Sequence, residues 1–258
     1  MLKLSQYELR KNRTTLLFLL GGLMILQLLF QLALSRGEDP EIGASVTVLF
    51  LYGLICYFSV FLLAVINYYR EINSRTSYLV FMTPVSPLRV ILSKMLTVLI
   101  LGLILAGALG LLALADLQQL SIYYGEYAPI WEQITTLLAS VGIRTGEIWT
   151  NVLYGIITFL LSFYATVTII YFCITLTATL LQNSRFRLIV SIVFFFLATW
   201  GRSKLQDWIG TIFQPDFAND ISLADLLTQS WPYTLLNLAV LIVCVAATSL
   251  LLKKKLSL

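Results

Sequence analysis

Residues able to support acid–base, nucleophilic or metal chemistry are sparse in this sequence of 258 residues. Histidine, the commonest general base and metal ligand, does not occur in it. Four acids of the polar connections show no spacing typical of a catalytic or metal site: Glu126, Glu132, Asp216 and Asp220. All three cysteines lie in apolar runs, where a thiol usually packs as a small hydrophobic group: Cys56, Cys173 and Cys244. The sequence therefore predicts no catalytic residue, no cofactor and no metal ligand.

A phosphate-binding loop of the form G-x-x-x-x-G-K-[ST] is also absent from the sequence. In that loop, backbone N–H groups and a lysine hold the phosphates of a nucleotide. We therefore expect that this chain is not an ATPase by itself, and that any work done with ATP is supplied by another subunit.

The longest basic connection between apolar runs, residues 68–87, predicts a helix, a sharp turn and a second helix. Pro84 disfavours helical backbone at Thr83 and so ends the first helix. Ser86 as N-cap and Pro87 at the first helical position begin the next one. A short helix held at an angle by a proline can act as a mechanical lever. These residues are equally compatible with an interfacial tether between two spans.

The composition predicts the elements that position this connection. Hydrophobic residues make up 59% of the chain and charged residues 12%, whereas soluble domains are about 25% charged. Too little charge is present to cover a soluble surface, so lipid must cover it instead. We predict an all-α polytopic membrane protein that forms one transmembrane domain over residues 1–258. Its net charge of +4 does not suggest binding to nucleic acid.

Six apolar runs predict six transmembrane helices: 14–34, 46–66, 90–115, 152–181, 188–200 and 233–252. The fifth run would reach only about 20 Å at 1.5 Å per residue, against roughly 30 Å of hydrocarbon. We expect it to span by snorkelling of the cations that flank it: Arg185, Arg187, Arg202 and Lys204.

The distribution of Lys and Arg predicts the orientation. Most of the 17 Lys and Arg residues fall on one side of the predicted spans: Lys3, Arg10, Lys11, Arg13, Arg70, Arg75, Arg89, Lys94, Arg185, Arg187, Lys253, Lys254 and Lys255. The other side has Arg36, Arg144, Arg202 and Lys204. Because cytoplasmic loops carry the excess of cations, we predict a multi-pass protein of the cell membrane with both termini in the cytoplasm. Residues 1–13 form a cytoplasmic amino-terminal segment.

The predicted external segments are 116–149 and 202–232. Apolar residues at helical spacing in 129–141 and in 205–213 predict short amphipathic helices there. Ser222 and Asp225 form a capping box that opens another short helix. We expect these helices to anchor the outer face of the protein at the membrane interface.

Small residues recur every four positions in the third run: Gly102, Ala106 and Gly110. A small-xxx-small stripe lets another helix approach closely, so these residues predict helix packing. The pattern does not indicate whether the partner helix belongs to the same chain.

Ionisable groups are nearly absent from the six runs, with Lys94 near the start of the third run as the exception among Asp, Glu, Lys, Arg and His. Pumps driven by ion gradients usually need such groups at membrane depth. The sequence therefore disfavours ion-coupled transport, and it disfavours a hydrolase with its active site inside the bilayer.

The arrangement around residues 68–94 resembles the permease (transmembrane) subunits of ATP-binding-cassette type 2 exporters, and the resemblance extends over nearly the whole chain. The residues that carry it are Glu71, Thr76, Thr83-Pro84-Val85-Ser86 and Lys94. They are similar to the family's acidic residue, its coupling helix and its T-P-V-S…K run. The basic amino-terminal stretch, a short fifth helix and the basic tail add support, whereas the external segment 116–149 is longer than in the smallest members.

This resemblance implies a coupling helix at 70–83 between the second and third spans. The implied contacts with an ATPase subunit are Glu71, Ile72, Arg75, Thr76, Leu79, Thr83 and Pro84. It also implies two permease chains, identical or related, that form a substrate pathway between them. ATP and Mg would bind to the partner ATPase.

The predicted spans offer aromatic and hydroxyl side chains as candidate pathway residues: Tyr52, Tyr57, Ser59, Thr166 and Thr168. Such a lining favours a peptide, a drug or another amphipathic cargo over a strongly charged one. Two other classes stay open at this point, a membrane enzyme with an external site and a non-transporting immunity or scaffold protein. Neither of these would require a partner ATPase.

Overall fold

The computed structural model of the chain describes residues 2–73, 86–125, 148–181, 186–213 and 231–256, together with residues 132, 135, 136 and 140. The regular structure of these residues is helical. We name the long helices in chain order: α1 (Leu2–Arg36), α2 (Asp39–Asn73), α3 (Pro87–Tyr123), α4 (Ile148–Leu180), α5 (Arg187–Ile212) and α6 (Trp231–Leu256).

All six helices are long and apolar enough to cross a bilayer. Large apolar side chains such as Phe18, Phe50 and Leu111 point away from the rest of the chain. In water such a surface would be unfavourable, and in a bilayer it contacts acyl chains. Within the described residues, the prediction of an all-α chain with six helices long and apolar enough to span a membrane is confirmed, and it fits a polytopic membrane protein.

The helices extend beyond the apolar runs that predicted them. The 35 residues of α1 reach about 52 Å, well over the roughly 30 Å of hydrocarbon. Residues 2–13 of the basic amino-terminal segment are therefore the first part of α1 rather than a separate element. Helix α3 continues to Tyr123, so the first residues of the predicted external segment 116–149 belong to α3.

The fifth span differs from its prediction. Helix α5 runs without a break from Arg187 to Ile212, a length of 26 residues. The prediction of a helix that ends near Trp200 and is followed by a separate short helix is therefore wrong. The polar residues after Trp200 end the apolar run, yet Arg, Lys, Leu and Gln are good helix formers and the backbone continues through them. The short helices predicted in 129–141 and from Ser222 lie outside the described residues, apart from a few positions of the first.

Two compact units make up the chain. The first, here the α1–α3 unit, comprises Met1–Ala64 and Leu92–Gln133. The second, here the α4–α6 unit, comprises Val65–Ile91 and Ile134–Leu258. Helices α2 and α3 each contribute residues to both.

In the α1–α3 unit, α1 and α2 form a helical hairpin. Gly37 adopts a φ of +73° directly after α1, and its N–H donates to the carbonyl of Ala33. This left-handed conformation suits glycine and ends the helix. The hydroxyl of Tyr123 donates to the Gly37 carbonyl at 2.9 Å and so holds the end of α3 against the turn. Below the turn, Phe30, Ala33 and Ile42 form a buried apolar cluster.

Helices α1 and α3 run parallel to each other. Among the described residues, the side-chain hydrogen bonds that join them include Ser5–Thr97, Glu8–Lys94, Gln27–Asp116 and Gln31–Gln119. The partners are 92, 86, 89 and 88 residues apart, a nearly constant offset that only parallel helices produce. Parallel first and third helices are what successive membrane crossings require.

The same hydrogen bonds lie at two levels along the helices. From residue 8 to residue 27 of α1 the rise is about 28 Å, which matches the roughly 30 Å of a bilayer's hydrocarbon. The polar pairs therefore lie near the two edges of the apolar region, with Glu8–Lys94 at one edge and Gln27–Asp116 at the other.

In the α4–α6 unit, α4 packs against both α5 and α6. Its inner face is closely buried and includes Ala165, Val167 and Tyr171. At the beginning of α6, Thr234 lies within hydrogen-bond distance of Tyr154 on α4. The central position of α4 makes it the helix to which other elements of this unit attach.

Candidate functional site at the cationic helix ends

We call the helix ends nearest to the main Lys and Arg clusters the cationic ends. They are the beginnings of α1, α3 and α5 and the final turns of α2, α4 and α6. The predicted coupling segment connects two of them, α2 and α3. The residues between α2 and α3 carry the family resemblance, and the beginnings of α1 and α3 carry buried polar contacts of the α1–α3 unit.

Of the predicted coupling residues, Glu71 and Ile72 lie in the last turn of α2, which continues to Asn73. Residues 70–73 are thus an extension of the second span. Ile72 is buried and Glu71 is partly exposed. The other predicted residues lie outside the described part of the chain: Arg75, Thr76, Leu79, Thr83 and Pro84. On the far side of the segment, α3 begins at Pro87 as predicted, and the N–H of Arg89 donates to the Ser86 carbonyl at 2.9 Å.

The last turns of α2 are fixed to α4 by Tyr68. Its ring stacks on that of Tyr171, with the centroids 3.9 Å apart and the planes 17° from parallel. Its hydroxyl lies 2.6 Å from the Thr175 hydroxyl, and only 2% of the residue is exposed. A fully buried aromatic pair with a satisfied hydroxyl holds a helix end firmly. The coupling segment therefore leaves α2 from a position tied to the α4–α6 unit.

Lys94, the lysine that carries part of the family resemblance, is buried against α1. Its Nζ lies 2.8 Å from Oε1 of Glu8, and the two side chains are only 5% and 8% exposed. A turn further along α3, the Thr97 and Ser5 hydroxyls are 3.1 Å apart. Asn12, on the same face of α1 as Glu8, is buried as well. We call Ser5, Glu8, Lys94 and Thr97 the α1–α3 polar cluster.

Sequence reasoning missed the pairing of Glu8 with Lys94. Two signals could have found it. Lys94 is the exceptional ionisable residue within the apolar runs, and Glu8 is one of the few acids among the basic segments. A buried lysine needs a carboxylate because an unpaired charge is not stable in a low dielectric.

The candidate pathway residues fall in both units. In the α1–α3 unit, the Tyr52 hydroxyl donates to the Leu19 carbonyl at 2.8 Å and so joins α2 to α1, while Tyr57 is exposed and Ser59 is partly exposed. In the α4–α6 unit, Thr168 is buried and donates to the Ala165 carbonyl. Thr166 accepts a hydrogen bond from Arg202. Tyr52, Thr166 and Thr168 therefore make contacts within their own units.

The small-residue stripe of α3 is open. Gly102 is partly exposed, and Ala106 and Gly110 are exposed. A Cβ placed on Gly102 or Gly110 would meet no atom of the described chain within 4 Å. Close packing of this stripe against another helix stays a prediction, and the described residues do not supply that helix.

No protein-family model, no curated protein and no solved structure matches this chain. Within the described residues, no group of His, Cys, Asp and Glu could hold a metal ion. The assignment of function therefore depends on the six membrane spans, the contacts at the cationic ends and the family resemblance around residues 71–94.

Proposed function

We propose that this chain is the membrane-spanning subunit of an ATP-driven exporter of the ATP-binding-cassette type. Two copies, or this chain and a related permease, form the substrate pathway, and each copy couples to a separate ATPase subunit that binds ATP and Mg. The observation that carries the proposal is the attachment of Tyr68 to Tyr171 and Thr175 directly before the segment that resembles the family's coupling helix.

The proposed mechanism is mechanical. The coupling segment, from Glu71 to Thr83, binds a groove on the ATPase, and Pro84 sets the angle at which it meets α3. A displacement of this segment acts on α3 through Pro87 and on α4 through the Tyr68 anchor. The same displacement thereby acts on a helix of the α1–α3 unit and on a helix of the α4–α6 unit.

The cargo we propose is a peptide, a drug or another amphipathic molecule. Candidate pathway side chains with exposed surface, such as Tyr57 and Ser59, provide aromatic and hydroxyl contacts. Contacts of this kind suit a molecule with both apolar and polar parts.

The test is crosslinking combined with transport. Single cysteines at positions 72, 76 and 79 are introduced in the reconstituted complex, and crosslinks to the ATPase are expected from the positions that face the groove. Glu71→Ala should abolish transport while the membrane domain still folds, because loss of one side of a partly buried interfacial pair costs roughly 2 to 5 kcal/mol. The matched control is Glu41→Ala, which removes an exposed acid at the opposite end of α2 and should leave transport unchanged.

Other results would contradict a coupling role for this segment. If Glu71 pairs only within its own helix, the exposed pair contributes about 0.3 to 0.5 kcal/mol and Glu71→Ala should transport normally. Normal transport together with no crosslink at any of the three positions would show that the segment is only a tether. Failure of the purified chain to bring down an ATPase would favour the membrane enzyme or the immunity protein instead.

A further inference from the structure

Arg202 lies inside the α4–α6 unit at a depth that the sequence did not indicate. From residue 187 to residue 202 of α5 the rise is about 22 Å, whereas the hydrocarbon of a bilayer is roughly 30 Å thick. Counted from Arg187 at one edge of the hydrocarbon, this rise puts Arg202 toward the opposite edge of the bilayer and well before the end of α5 at Ile212. Arg202 therefore lies within α5 rather than just after a short fifth helix.

Three neutral side chains from two other helices hold the guanidinium. Its Nη1 donates to the Thr166 hydroxyl at 3.0 Å. Its Nη2 donates to the Ser162 hydroxyl at 3.2 Å and to Oδ1 of Asn237 at 2.8 Å. We call Arg202, Ser162, Thr166 and Asn237 the Arg202 cluster. It joins α4, α5 and α6 at one level.

This cluster has no negative charge of its own. Within the described residues no carboxylate lies within ion-pair distance of Arg202, and the neighbouring Asp207 is exposed and pairs with Lys204 at 3.6 Å. The sequences of α4 and α6 contain no Asp or Glu. The contrast with Lys94, which is buried beside Glu8, is direct.

The guanidinium also has unused donor capacity. Arginine carries five N–H donors, and the buried Nε of Arg202 has no hydrogen-bond partner within the described part of the chain. A cation at membrane depth is unfavourable without a partner, and intramembrane ionisable residues usually mark a functional site. The exposed part of the guanidinium suits the oxygens of a phosphate or a carboxylate.

The surroundings indicate what kind of anion can reach this place. Arg202 is itself partly exposed, and large apolar side chains on the same helix are open, including Leu197 and Trp200 at 58% and 65%. A small hydrated anion would lose its water of hydration at such an apolar surface, which is unfavourable. A molecule with an anionic group and an apolar tail can place the tail on α5 and its oxygens on the guanidinium.

We propose that the Arg202 cluster binds the oxyanion of an amphiphile within the membrane, either the headgroup phosphate of an anionic lipid or the anionic group of an amphipathic cargo. This inference requires only that the chain spans a membrane. It does not depend on the proposed ATPase partner, so the two proposals can fail separately.

The test compares lipid retention by variants. The purified chain in phosphatidylcholine nanodiscs is titrated with phosphatidylglycerol, and bound lipid is counted by native mass spectrometry. We expect selective retention of phosphatidylglycerol, reduced about tenfold or more in Arg202→Gln, because charge-assisted hydrogen bonds are lost. The matched control is Lys204→Gln, which removes an equal charge from an exposed position on the same helix and should retain the selectivity.

A second variant keeps the test decisive if Arg202→Gln does not fold. Asn237→Asp is nearly isosteric and places a carboxylate against Nη2, so it should preserve the fold and still abolish binding of an external anion. A parallel arm adds dodecyl phosphate to neutral nanodiscs. Retention of phosphatidylglycerol identifies a resident lipid site, and retention of dodecyl phosphate alone identifies a cargo-type site.

Either retention, lost in Arg202→Gln or Asn237→Asp and kept in Lys204→Gln, supports the proposal. Absence of selectivity for both probes in the wild-type chain would overturn it. Equal losses in Arg202→Gln and Lys204→Gln would also overturn it, because they would indicate a general effect of surface charge.

Discussion

At the scale of single residues, two ion pairs among the described residues of the α1–α3 unit have sharply different surroundings. Glu8 and Lys94 are buried, whereas Arg36 and Glu41 are 67% and 40% exposed with a separation of 3.4 Å. An exposed pair in high dielectric contributes little, and a buried pair becomes critical once formed because its desolvated charges depend on each other.

The pairs therefore predict unequal effects of mutation. Glu8→Gln or Lys94→Met should lower the free energy of unfolding by about 3 to 5 kcal/mol, because each leaves the other charge buried and unpaired. Arg36→Ala, the matched control, should lower it by less than about 1 kcal/mol. Denaturant unfolding in detergent micelles measures these differences.

The double variant Glu8→Leu with Lys94→Leu extends the test. Replacement of a whole buried pair by apolar residues is often neutral, so most of the stability should return. A double variant as unstable as Lys94→Met would indicate that the polar cluster has a packing role which leucine cannot fill.

At the scale of elements, the approach of α1 to α2 depends on one of two adjacent glycines. A Cβ on Gly22 would overlap the hydroxyl of Tyr52, whereas a Cβ on Gly21 would meet no atom within 4 Å. The two positions share the same helix and nearly the same depth. They therefore form a matched pair for testing this contact.

Gly22→Ala should destabilise the chain by about 1 to 3 kcal/mol, because it overpacks the contact and displaces the hydrogen bond of Tyr52 to Leu19. Gly21→Ala should be neutral or stabilising by up to about 1 kcal/mol, since alanine favours helix. Thermal unfolding followed by size-exclusion chromatography distinguishes the two. Tyr52→Phe in the Gly22→Ala background should restore part of the lost stability. If it restores none, the Tyr52 hydroxyl is not the group that the added methyl overlaps.

The elements also show where reading the sequence succeeds and where it stops. Long apolar runs predicted all six spans, because hydrocarbon thickness imposes a minimum length that few other segments meet. The end of α5 was misjudged because hydropathy measures the side chains and not the continuity of the backbone. The sequence did not predict the contacts of Arg202 with Ser162, Thr166 and Asn237. These contacts depend on how three helices pack, and no local sequence pattern indicates that packing.

At the scale of the whole molecule, the distribution of cations predicts which ends of the spans face the cytoplasm. In a background with Cys56, Cys173 and Cys244 replaced, single cysteines at 126 and 220 should react with an impermeant maleimide added outside intact cells. Cysteines at 75 and 254 should react only after permeabilisation. External labelling at 75 or 254, with none at 126 or 220, would show that the orientation is opposite to the predicted one.

The whole chain is also expected to be inert toward ATP by itself, because its sequence lacks the glycine loop and lysine that hold phosphates. The purified chain in nanodiscs should show no ATP turnover above that of an empty-nanodisc control. Turnover that persists after a second, orthogonal purification would contradict this expectation and also the proposed division of labour with an ATPase.

The separation between Glu8 and Lys94 sets an order of events during biosynthesis. The two residues are 86 positions apart, so at about 5 to 20 residues per second a ribosome makes Lys94 roughly 4 to 17 s after Glu8. Before then the carboxylate lacks its cation, and burying it without a counter-charge is unfavourable. We therefore expect the carboxylate of Glu8 to stay hydrated at the membrane surface while α2 is translated, and to become buried only when the third helix arrives.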